Sequence, residues 1–149
     1  QDLFFFFFLW SFQSSLKLNR VAFLREDTYI YYFHDASIIH NRGEKHFDNW
    51  ITIAGYMDRA YKEQTDPKKR ELLLGYLIQF KYMTLQMNWK AQKNEALWKK
   101  SYNAYLKLSS LSFVDYFSSN YSNNIKKENI FTTLPTNLGF KVFKSRYER

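Results

Sequence analysis

From Lys45 onward the apolar residues recur every three to four positions, and this period constrains the chain more than any other feature. Phe47, Trp50, Ile51, Ala54, Met57 and Tyr61 fall on one face of an α-helix. Asp66-Pro67 is a start signal, an N-cap followed by proline in the first turn, where a missing N–H costs nothing. Leu73, Leu74, Leu77, Ile78, Lys81 and Leu85 carry the pattern on towards Trp89. Leu97, Trp98, Tyr102, Tyr105 and Leu108 predict a third helix from about Glu95, running on towards Phe117. The polar stretch 118–124 reads as a linker, followed by a short helix over 125–131 and, after Leu134-Pro135-Thr136, a last segment over 138–149. Only four glycines and two prolines interrupt the 149 residues, so tight turns are few and long helices are favoured.

The first 43 residues have another texture. Asp2 can cap a helix over 2–16, whose apolar residues cover nearly every side through Phe12 and so predict burial all round. Val21–Leu24 and Thr28–Phe33 read as short strands, because β-branched and aromatic residues dominate them. Two short strands do not make a stable sheet alone, so this part is expected to have been paired with something preceding it. The apolar run Leu3 to Trp10 is eight residues long, against the roughly 20 that a spanning helix needs. It also lacks the basic region and cleavage site of a secretory signal. The readings left open are a buried helix or strand and the cut edge of a larger domain.

Cysteine is absent, which excludes a disulfide framework and thiolate chemistry. His34, His40 and His46 are spaced by six, which is not a helical metal-ligand spacing. No phosphate-cradling glycine loop and no nucleophile elbow occurs. A net charge of +8 favours anionic partners. No nucleic-acid recognition motif accompanies it, so nucleic acid is not the expected partner.

The order Glu26, Tyr29, Tyr31, His34, Ser37, about thirty residues after Asp2 and its phenylalanine-rich helix, resembles the final third of the catalytic domain in family 2 glycosyltransferases, which have the GT-A fold. Those enzymes open that helix with a Glu-Asp pair and follow it with a stretch such as E-P-L-Y-Y-Y-R-x-H-x-x-S. Here Gln1 stands where Glu is usual, Asp27 where Pro is common and Tyr32 where Arg is common; a guanidinium at that last position would suit a diphosphate. The resemblance covers roughly residues 1–40.

It implies a mainly α chain: a short α/β remnant of a GT-A catalytic domain over 1–43, then a helical C-terminal extension over 44–149. It implies an inverting transfer from a nucleotide sugar to a glycan acceptor, for cell-surface polysaccharide. Asp2 would be the catalytic base that takes the acceptor hydroxyl proton; the local alternative is a simple N-cap. His34 and Ser37 would lie near the donor diphosphate or its metal, the alternative being ordinary loop residues. A divalent metal, Mg or Mn, is expected in the complete enzyme and none in the fragment. The basic tail, with Lys141, Lys144 and Arg146, is expected either to lie on an anionic membrane surface or to dock on the domain with its cations in water. The location implied is cytoplasmic, peripheral to the inner face of the membrane. A separate reading makes residues 44–149 a helical interaction module without catalysis, able to form a homo-oligomer through exposed Trp50, Trp89 and Trp98.

Overall fold

The computed structural model describes residues 3–18 and 44–147, with side chains from residue 9 in the first stretch. No strand occurs among the described residues. The chain divides by internal contacts into two units, 1–41 and 42–149. The strand assignments at 21–24 and 28–33 lie outside the described residues.

In the first unit α1 spans Leu3–Ser15. Ser15 Oγ donates to the Phe12 carbonyl at 2.7 Å, a local bond that competes with continuation of the helix. The expectation of burial all round fails at Trp10, which is 63% exposed while Phe12 is buried. Two residues correspond to about 200° of helix, so the two rings lie on opposite faces.

The second unit is helical from α2 (Glu44–Glu63) through α3 (Pro67–Gln92), α4 (Glu95–Tyr105), α5 (Asn123–Thr133) and α6 (Thr136–Tyr147). α3 is the spine and packs against α2, α4 and α5; α6 closes the bundle against α4 and α5. The start of α3 is set by Asp66, whose Oδ1 accepts from the N–H groups of Lys68 and Lys69 at 2.9 and 3.2 Å, with Pro67 in the first turn. Its end is set by Lys93, whose backbone turns left-handed (φ 46°) while its N–H reaches the Trp89 carbonyl at 2.9 Å. Asn94 then caps α4 by accepting from Leu97 N–H at 3.1 Å. One short link thus serves as the stop of one helix and the start of the next.

The core is aromatic. Trp98 stacks on Tyr102 with centroids 4.8 Å apart and meets Phe140 and Phe143 at 5.2 and 5.1 Å. Trp89 meets Phe140 edge-on at 5.4 Å, and Trp50 meets Phe80 at 5.6 Å. Tyr102 donates its hydroxyl proton to the Phe131 carbonyl at 2.6 Å, with the Leu134 carbonyl also at 3.0 Å. It thereby satisfies the otherwise orphaned carbonyl end of α5. Gly139 lies directly beneath: a β-carbon there would sit 2.5 Å from Tyr102 Oη. A glycine in the middle of α6 is therefore what lets α6 approach α4.

The third helix ends at Tyr105 and does not run on to Phe117. The N–H groups of Leu106, Lys107 and Leu108 still reach the carbonyls of Tyr102, Ala104 and Tyr105, but beyond them side chains take over. Ser109 N–H goes to Asp58 Oδ1 (2.8 Å), Leu111 N–H to Asn129 Oδ1 (3.1 Å) and Ser112 N–H to Asp115 Oδ2 (2.8 Å). Residues 106–122 consequently form a moored loop with a single 3-10 turn at Val114–Tyr116.

Candidate functional site

The residues carrying the glycosyltransferase resemblance, Asp2, His34 and Ser37, lie outside the described residues. Among the described residues no group of three or more His, Cys, Asp or Glu is placed to hold a metal ion. None of the described helices is long and apolar enough to cross a membrane.

Two buried ionisable groups with shifted pKa values, Lys81 and Asp58, meet at Ser109. Lys81, fully buried on α3, donates from Nζ to the Ser109 carbonyl at 3.0 Å. Asp58, buried on α2, accepts the Ser109 N–H through Oδ1 and pairs through Oδ2 with Lys62 Nζ at 2.6 Å. Burial pushes the Lys81 ammonium down to about 8, against the opposing pull of the Asp58 charge. Burial also pushes the Asp58 carboxyl up, but the hydrogen bonds from Lys62 and Ser109 outweigh it, and its pKa falls below the ordinary value. A lysine poised near neutrality can act as a base or nucleophile where a substrate reaches it. Lys81 is enclosed and spends its charge on a backbone carbonyl. The arrangement is a clamp that fastens the loop to α2 and α3.

The tail was expected either on a membrane or on the domain. α6 buries Phe140 and Phe143 in the core, which removes its largest apolar side chains from any membrane contact. Lys141, Lys144 and Arg146 are exposed. Arg146 also lies over the rings of Tyr82 and Tyr147 at 5.9 and 5.8 Å. Leu138 and Val142 remain partly exposed on the same helix.

The tryptophans named as interface anchors are a correction. Trp50, Trp89 and Trp98 are 3%, 6% and 0% exposed, because the neighbouring helices cover the faces they occupy. The large apolar groups that do meet water are elsewhere. They include Leu72, Tyr76 and Met83 on α3, Ile130 on α5 and, on the loop, Leu106 (38%) together with the more exposed trio Phe113 (79%), Val114 (73%) and Phe117 (78%). The loop trio is held in a defined shape. Asp115 Oδ2 receives the Ser112 N–H and also its O–H, at 2.7 Å. Ser118 Oγ donates to the Asp115 carbonyl at 3.0 Å. Asn129 on α5 donates to Tyr116 Oη at 2.6 Å, and Lys126 Nζ donates to the Ser118 carbonyl at 2.7 Å. Phe113 and Phe117 then pack edge to face at 5.1 Å, and both point outward.

Charge follows the same division. Residues 44–147 contain 17 Lys and Arg against 9 Asp and Glu, so they carry a net +8, equal to that of the whole chain. Compared with protein-family models, curated proteins and solved structures, the chain has no significant match.

Proposed function

We propose that residues 44–147 are a docking module, a helical unit that presents the Phe113–Phe117 loop to a partner and holds the preceding segment there. The observation that carries this reading is the loop itself. Side-chain and backbone bonds are invested in a turn whose three largest apolar groups face water. The largest apolar patch on a monomer is often functional. Density-gradient fractionation of cells expressing the native protein tests it. The parent is expected to travel with a larger assembly or with membranes, and Phe113→Ser/Phe117→Ser to be released from it. Identical profiles for the two would overturn the reading.

A second reading concerns the segment before this module and rests on the residue order from Glu26 to Ser37. In it the chain is the C-terminal part of an inverting glycosyltransferase that uses a nucleotide sugar, a glycan acceptor and Mg or Mn, at the cytoplasmic face of a membrane. Asp2 is the base, and His34 and Ser37 attend the diphosphate. Asp2→Asn in the native protein then abolishes sugar transfer and leaves donor binding intact. Unchanged transfer would refute it.

A further inference from the structure

Resting on the docking reading, we propose that the Phe113–Phe117 loop is a wedge for an anionic lipid bilayer.

Three features of the loop select this occupant. The first is shape. Side chains exposed by 73 to 79% protrude from the surface and do not line a groove. A protruding aromatic pair needs a soft medium that closes around it, and the acyl-headgroup boundary is one. The second is area. Two phenylalanines and a valine at these exposures offer roughly 400 Å². A stable pair of proteins buries about 800 Å² on each side, so the loop alone is half of what a second copy would need.

The third is charge. The unit as a whole, residues 44–147, carries an excess of +8. Lys126 places its ammonium on the Ser118 carbonyl at the base of the loop; Lys127, the next residue on α5, is exposed, as is Lys107 on the approach to the loop. The acidic group inside the loop, Asp115, has one carboxylate oxygen taken up by Ser112. Around Tyr121 the charges of Asp115, Glu71 and Arg70 come together, the one cation opposing the two carboxylates. The Lys126 ammonium at the base of the apolar tip, on a unit of net positive charge, matches a surface with anionic headgroups above hydrocarbon. Ser112, Ser118, Ser119 and Asn120 flank the tip in sequence with polar side chains.

Flotation of the native protein with lipid vesicles tests the proposal. The probes are vesicles of phosphatidylcholine alone and of phosphatidylcholine with added phosphatidylglycerol. The parent is expected to float with the mixed vesicles, to bind the neutral ones more weakly, and to release as salt rises. Phe113→Ser/Phe117→Ser should weaken binding by at least about tenfold. Its thermal midpoint should stay at the parent value, since both rings are exposed. Lys107→Gln/Lys127→Gln should lower affinity for mixed vesicles and leave the weak neutral binding as it was.

Failure of the parent to float overturns the bilayer proposal. So does equal flotation of parent and phenylalanine variant. If the parent instead forms a dimer that this variant dissolves, or binds an RNA oligonucleotide and no vesicle, the docking reading stands and the bilayer does not. If the variant also leaves the cell-fractionation profile unchanged, the docking reading falls with it.

Discussion

Gly139→Ala should destabilise the helical unit although alanine is the better helix former. The new methyl would lie 2.5 Å from Tyr102 Oη and 2.7 Å from Cζ, far inside contact distance. Tyr102 is fully buried against Trp98 and is held by the carbonyls of Phe131 and Leu134, so its ring has nowhere to retreat. Overpacking of this kind costs about 1–3 kcal/mol. Displacing the hydroxyl from its acceptors adds about 1 kcal/mol. Helix propensity returns about 1 kcal/mol. The net is a loss of about 2 kcal/mol, or roughly 10 °C in thermal midpoint for a unit of about 100 residues. Gly55→Ala is the control: its β-carbon meets nothing within 4 Å, so propensity alone acts and the midpoint should rise by a few degrees. Thermal melts followed by circular dichroism read both. In a Tyr102→Leu background the cost of Gly139→Ala should shrink, because the group it strikes is gone. A Gly139→Ala protein as stable as the Gly55→Ala protein would refute the close approach of α6 to α4.

Lys81 should give stability a signature in alkali. Its ammonium titrates near 8 in the folded chain and near 10.5 when unfolded, so between these values the unfolded state holds more protons. Stability therefore gains with rising pH across that window, by as much as ~1.4 kcal/mol per pH unit. Denaturant midpoints measured from pH 7 to 10 should show this rise, and Lys81→Met should flatten it. Asp58 acts in the same direction in the acid range: its pKa is also lowered, so the stability it contributes is present above the ordinary carboxylate range and is lost as pH falls, and Asp58→Asn should remove that acid dependence. Asp66→Ala takes the cap from α3 and should cost about 1 kcal/mol in chemical denaturation. Asn88 is fully buried on α3 with neither amide atom hydrogen-bonded, so Asn88→Leu should raise the melting point rather than lower it.

What was legible in the sequence divides along a physical line. The α2 and α3 helices and the start of α4 follow from apolar spacing and from caps, which act within a few residues, while α5 and α6 are legible only as further helical segments after the polar stretch 118–124. Asp66-Pro67 is the plainest case. The end of α4 does not follow, because the groups that take the Ser109 and Leu111 donors are Asp58 and Asn129, brought in from other helices. Phe113 and Phe117, four apart, imitate one more helical turn, and nothing local betrays that they face water. The tryptophans fail for the complementary reason: a helix's apolar face is visible in its sequence, but the neighbour that covers it is not. Lys81 was placed correctly on the buried stripe of α3, but its partner, the Ser109 carbonyl, is 28 residues away. For the catalytic assignments the sequence remains the whole of the argument, since Asp2, His34 and Ser37 lie outside the described residues.

The absence of cysteine offers the most direct test of the docking account. Val114→Cys places a single thiol between the two phenylalanines and leaves both in place. Its rate of maleimide labelling is compared in the purified protein and in membranes or extracts of cells expressing it, with Lys90→Cys on the exposed face of α3 as reference. The account predicts fast labelling of both sites in the purified protein and selective protection at position 114, by about tenfold or more, in the cellular preparation. Equal labelling at 114 in both settings would contradict it.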